Sequence, residues 1–202
     1  MKKNWLGFLL NPFERIAGGT ALAWGTLGLL LSTLLAWQTD YHYHGLLHFG
    51  PAPNPALWCF AAEHVIVWLI PALLFYLGGL ALSRSRIRPI DILGTTLFAQ
   101  IPLLFTNLMA FLPFYKQMSA LDPATSLEEQ LAQVTAMVAQ PGFWFSVWLA
   151  FVSIAFVVWM GYWMFKALQV SCNLKEVKLG VLFCVGLFGG DIICRFIIGL
   201  LY

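Results

Sequence analysis

The sequence predicts an all-α integral membrane protein built as a bundle of five transmembrane helices, and three observations carry that expectation. The 202-residue chain is 60% hydrophobic and only 10% charged, against about 45–50% apolar and about 25% charged residues in a soluble domain. Its mean hydropathy is +0.80. The apolar residues lie in five continuous runs rather than alternating, each near the ~20 residues a helix needs to cross ~30 Å of hydrocarbon, which also argues against β-barrel strands. The net charge of +2 is too small to suggest a nucleic-acid partner. The whole chain, residues 1–202, reads as one membrane domain.

The N-terminal stretch "MKKNWLGFLLNPFERIAGG" begins like a signal peptide with Lys2 and Lys3. Its apolar core, Trp5 to Leu10, is too short, and Asn11, Pro12, Glu14 and Arg15 interrupt it, so cleavage is not expected. Trp5, Leu9, Phe13 and Ile16 recur at roughly helical spacing, which predicts a short interfacial helix bent at Pro12. The expected spans follow at about 18–37, 56–82, 92–115, 143–168 and 180–202.

Basic residues set the orientation. Lys2, Lys3 and Arg15 precede the first span; Arg84, Arg86 and Arg88 separate the second from the third; Lys166, Lys175 and Lys178 flank the connection between the fourth and fifth. The other two linkers hold only Lys116. By the positive-inside rule the N-terminus is cytoplasmic and the C-terminus outside. Arg84, Arg86, Arg88, Lys175 and Lys178 are then placed to meet anionic lipid headgroups. Asp91, after "SRSRIRPI", reads as the N-cap of the third span.

The linker after the third span has its own helix signal. In "TSLEEQLAQVTAMVAQP", Ser126 and Glu129 form a capping-box pattern. Leu127, Leu131, Val134 and Val138 follow on one face before Pro141, predicting an outer-face amphipathic helix over about 126–140.

Polar side chains inside the spans are few: Glu63 and His64 in the second, Gln100 and Asn107 in the third, Asp191 and Arg195 in the fifth. Charges in hydrocarbon are costly, so they face the bundle interior and pair. Glu63 and Arg195 each lie seven residues from the outer end of their span, roughly 10 Å deep at 1.5 Å per residue. Asp191 lies one turn deeper than Arg195 on the same face. The expectation is a network in which Arg195 binds Asp191 and Glu63 together, with Gln100 or Asn107 nearby. Such a network serves either as a tether fixing helix register or as a proton or ion relay. Pro71 and Pro102 fall inside spans, where a missing donor bends or breaks a helix. Gly186 and Gly190, with Gly189 beside them, form a G-x-x-x-G pair that allows close helix approach within one chain or between two.

All four histidines fall close together. His42, His44 and His48 lie in "DYHYHGLLHFG" after the first span, and His64 is in the second. Imidazole is the commonest metal ligand, so an outer-face metal site is one reading; interfacial His and Tyr that need no metal are the other. The cysteines Cys59, Cys172, Cys184 and Cys194 have neither CxxC nor disulfide-ladder spacing and read as small hydrophobes. There is no HExxH, no GxSxG and no phosphate-cradling glycine loop, so neither enzymatic activity nor a cofactor is expected.

Four segments carry a family likeness: "LLNPFERIA", "RPIDILGTTLFAQIP", "KALQVSCNLKEVKLGVLF" and "GDIICRFIIGLLY". With them the chain resembles the bacterial branch of the Yip (Ypt-interacting protein) domain family, over essentially its whole length. The resemblance implies a five-helix membrane bundle without enzymatic activity. Eukaryotic members act in vesicle traffic and associate with prenylated Rab-type GTPases and with one another. This chain lacks their long N-terminal region and its Asp-Leu-Tyr-Gly-Pro segment, so a GTPase partner is not expected. The leading expectation is a non-enzymatic interaction or membrane-organising factor that binds lipid, other membrane proteins or itself. A small transporter or ion-conducting protein using Glu63, Asp191 and Arg195 is the alternative, and an outer-face metal-binding protein a third.

Overall fold

The computed structural model describes residues 5–52, 55–112 and 126–201. Five helices are long and apolar enough to cross a membrane: Gly18–Thr39, Leu57–Leu82, Pro89–Met109, Phe143–Cys172 and Glu176–Ile198. The chain is a multi-pass membrane protein. Residues 113–115 of the expected third span, Tyr202 at the end of the fifth, and Lys2, Lys3 and Lys116 lie outside the described residues.

The span ends differ from the sequence reading where caps decide them. The third span starts at Pro89 rather than Ile92, because proline is suited to the first helical position. The residue at its cap is therefore Arg88, and Asp91 falls in the first turn instead of capping. There Asp91 accepts two hydrogen bonds from the Arg88 guanidinium, at 2.8 and 2.9 Å. The fourth span continues to Cys172 and is closed by Asn173 in the left-handed region (φ 50°); the fifth begins at Glu176.

The third span is the centre of the bundle and the fourth its periphery: 61% of the most apolar window of the third is buried, against 6% for the fourth. The first span crosses the third closely, because Gly25 and Gly94 leave no side chain between the backbones. A Cβ on Gly25 would lie 2.7 Å from Leu97 Cγ and 2.8 Å from Phe98 N, and one on Gly94 would strike the Gly18 carbonyl.

The two span prolines act differently. Pro102 interrupts the third span, which runs as Pro89–Ala99 and Leu103–Met109 around a tight turn. Pro71 sits within one continuous helix. Having no N–H, Pro71 leaves the carbonyl four residues earlier, Val67, without its helical donor. The Gln100 side-chain amide supplies it, donating to Val67 O at 3.0 Å. Gln100 is thus taken up by a backbone repair between the second and third spans, away from the expected charge network.

The fifth span contains a wide π-helical turn, Val185–Gly189, between Glu176–Cys184 and Gly190–Ile198. Its glycines face the second span: a Cβ on Gly186 would strike the Phe75 ring, and one on Gly190 would lie 3.3 Å from Pro71 Cβ, whereas Gly189 meets nothing within 4 Å.

At the N-terminus, helix Trp5–Leu10 stops before Pro12, and Pro12–Glu14 forms a single 3-10 turn. Phe13 is buried against Phe98 and Trp163, and Trp163 Nε1 donates to Leu9 O at 2.8 Å. The segment is pinned to the bundle. The capping box forms as the sequence pattern predicts: Glu129 N–H donates to the Ser126 side chain, ahead of helix Leu127–Val138.

Candidate functional site

The polar chemistry gathers at one end of the bundle, around a hairpin the sequence did not reveal. After the first span, Asp40 adopts φ 55° and turns the chain into strand β1, Tyr41–Tyr43, which pairs antiparallel with β2, Phe49–Pro51. The connecting residues 44–48 carry Gly45 and Leu47 down onto the fifth span. All three β1 side chains are buried. Tyr43 O–H donates to Leu103 O at 3.1 Å and lies 2.8 Å from Thr106 Oγ1, anchoring the hairpin where the third span is broken. Burial pushes the Tyr43 phenol well above its ordinary value, with the Thr106 hydrogen bond partly offsetting it.

The hairpin supplies the partners that the sequence reading assigned to Arg195. His42 Nδ1 lies 2.7 Å from Glu63 Oε1, with the two side chains 1% and 0% exposed. The backbone N–H of Leu47 donates to Asp191 Oδ1 at 2.8 Å, and His48 Nδ1 lies 3.2 Å from Asp191 Oδ2. The expected Arg195–Glu63 contact does not form. Among the described residues the close contacts between basic and acidic side chains are His42–Glu63, His48–Asp191 and Arg88–Asp91, and none includes Arg195. The physical reason is the loop. A Cβ on Gly45 would lie 2.6 Å from Arg195 Cγ and 2.7 Å from Asp191 Oδ1. The backbone therefore passes against both fifth-span side chains and takes Asp191 for itself.

The remaining polar residues serve separate contacts. The Asn107 side-chain amide donates to Ser32 O at 3.3 Å and to Ser32 Oγ, tying the third span to the first. His64 Nδ1 faces the carbonyl of Phe60 one turn back, at 2.7 Å. His64 also lines a small cavity of about 20 Å³ shared with Tyr43, Ser32 and Gln100. His42, His44, His48 and His64 do not form one ligand set: among the described residues no three His, Cys, Asp or Glu side chains come together as a metal site. His42 and His64 instead turn to partners of their own, Glu63 and the Phe60 carbonyl.

An open cavity of about 580 Å³ remains beside the hairpin, lined by His42, His44, His48, Phe49, Arg195 and Gly199 among others. The His42 and His44 rings meet edge to face with centroids 4.0 Å apart. Partial burial, then repulsion from His42, holds the His44 imidazole below its ordinary value near 6.5, while Glu63 pulls the other way. Arg84, Arg86, Arg88, Lys175 and Lys178 are all exposed. They lie on or beside two linkers joined by Asn173 Nδ2 donating to Ser85 Oγ at 3.1 Å and Ser83 Oγ donating to Cys172 O at 2.6 Å.

Sequence reasoning missed Tyr43, Gly45 and the Leu47 amide. The alternation Tyr41-His42-Tyr43, with Phe49-Gly50-Pro51 after it, is a short-strand signal that could have found the hairpin. Comparison with family models, with curated proteins and with solved structures finds no match to this chain.

Proposed function

We propose that this chain is a non-enzymatic, Yip-like membrane-organising protein that acts by binding lipid and other membrane proteins, including its own kind. In this reading it sits in a bacterial cytoplasmic membrane, with the N-terminus and the basic linkers on the cytoplasmic face. The hairpin, the C-terminus and the amphipathic helix lie outside. The observation that carries it is the fourth span. Its most apolar window is 6% buried, and Trp144, Phe145, Trp148 and Phe151 are 59–70% exposed along it. A helix that buries its C-terminal part but so little of this window leaves a long aromatic face for neighbours in the membrane. The polar contacts support the same reading, since Glu63 and Asp191 are engaged in holding a loop and act as locks. Photo-crosslinkers placed at Trp148 and Val158 in native membranes test it. Discrete protein adducts at those positions, absent from the buried Met164, are the expected result. Lipid-only adducts with a monomeric protein would overturn it.

The contact of the His42 and His44 rings beside Glu63 favours a second reading, a proton-conducting route along the hairpin. Proton flux in liposomes that is lost in Glu63→Gln would promote it over the first.

A further inference from the structure

Among the described residues, Arg195 is a charged side chain within the fifth span that takes part in no ion pair. Its stem lies against Gly45, where a Cβ would come within 2.6 Å of Cγ and 3.3 Å of Cδ. Past the loop, the residue forms part of the wall of the open cavity of about 580 Å³. Asp191, one turn below, is already engaged by the Leu47 amide and by His48. No carboxylate among the described residues lies within 4 Å of the guanidinium. A guanidinium held near the end of an apolar span is costly unless an anion or water meets it.

The cavity is built to supply an anion's surroundings. Its lining carries one permanent cation and three imidazoles, and no carboxylate. Its volume falls in the ~300–1,000 Å³ range of small-molecule sites, so it takes more than a bare halide. A planar guanidinium matches the oxygens of a phosphate group through two parallel hydrogen bonds. The neighbouring stripe of the same helix is apolar, with Ile192, Phe196 and Leu200 66–72% exposed, which suits a ligand carrying an apolar body.

We propose that this cavity binds a phosphate-bearing anion, with Arg195 as its principal ligand and His44 as a second donor at the mouth. The depressed basicity of His44 fits that role, because the neutral ring still offers one N–H without adding a charge. The shared chemistry is a phosphate ester, supplied either by a lipid headgroup or by a free solute. The site is independent of the fourth-span surface.

The test uses the full chain in detergent micelles, titrated with dioctanoyl-phosphatidic acid, dioctanoylglycerol and inorganic phosphate, and followed by calorimetry and native mass spectrometry. Phosphatidic acid should bind and dioctanoylglycerol should not. Competition by inorganic phosphate assigns the site to a free phosphate, and its failure to compete assigns it to a headgroup; either supports the proposal. Arg195→Gln should weaken binding about tenfold or more, as expected for one lost charge-assisted contact. Gly199→Glu places a carboxylate at the exposed cavity mouth and should abolish binding; it carries the test should Arg195→Gln fail to fold. Equal binding of the phosphate-bearing and phosphate-free lipids, absence of binding by every probe, or unchanged binding in Gly199→Glu would overturn the proposal.

Discussion

One hairpin makes two histidine–carboxylate pairs that are alike in chemistry and unlike in setting. His42 and Glu63 meet at 2.7 Å with almost no exposure, whereas His48, at 49% exposure, meets an Asp191 that is 7% exposed. A buried pair has no solvent to replace a missing partner, so breaking it is costly whatever its net worth. A half-exposed pair is screened and its imidazole can turn to water. Asp191 also has the Leu47 amide, which does not depend on any side chain. The difference teaches that Glu63 fixes the root of the hairpin through His42, while Asp191 fixes its tip through the backbone.

The largest effect is expected at the buried pair. His42→Ala should lower the unfolding free energy in detergent by about 3–5 kcal/mol, read by denaturant titration; a loss under about 1 kcal/mol would break the contrast. Next comes the tip. Gly45→Val should cost about 1–3 kcal/mol through overpacking against Arg195 and Asp191, with protection of the Leu47 amide lost in hydrogen exchange. His48→Ala should cost less than about 1 kcal/mol, the range of exposed ion pairs, and a double-mutant cycle with Asp191→Asn should show a small coupling.

The smallest effect is a pH dependence from His44. Its folded-state pKa is held below the ordinary 6.5, so between those two values the unfolded chain binds more protons than the folded one. Stability should therefore fall as pH drops from about 6.5 through the folded value, and level off below it. Apparent melting temperatures between pH 7.5 and 5 should show this decline, reduced in His44→Gln.

The five spans were legible because length and continuous apolarity are local properties. The capping box at Ser126 was legible for the same reason, as were the glycines at Gly186 and Gly190. The pairing of the charges was not. Counting residues from a span end gives the level of Glu63 or Arg195, but not the direction in which either faces. Nor does it show that a linker dips between them. Gln100 illustrates the same limit: Pro71 announces an orphaned carbonyl at Val67, yet only packing of the third span on the second identifies the donor. Asp91 was misplaced as a cap because Pro89 opens the helix earlier.

The π-helical turn at Val185–Gly189 works as a phase slip. A wide turn holds one residue more than an α-turn, and one residue corresponds to about 100° of rotation around the axis. Every side chain beyond it is dialled round by that angle relative to an unbroken helix. Gly186 belongs to the old phase; Asp191, Cys194 and Arg195 belong to the new one. Deleting a single residue from this turn would leave the span apolar and nearly as long, yet it would swing Asp191 away from the Leu47 amide. The hairpin's grip at its tip is thus set by a residue count in the turn that precedes Asp191.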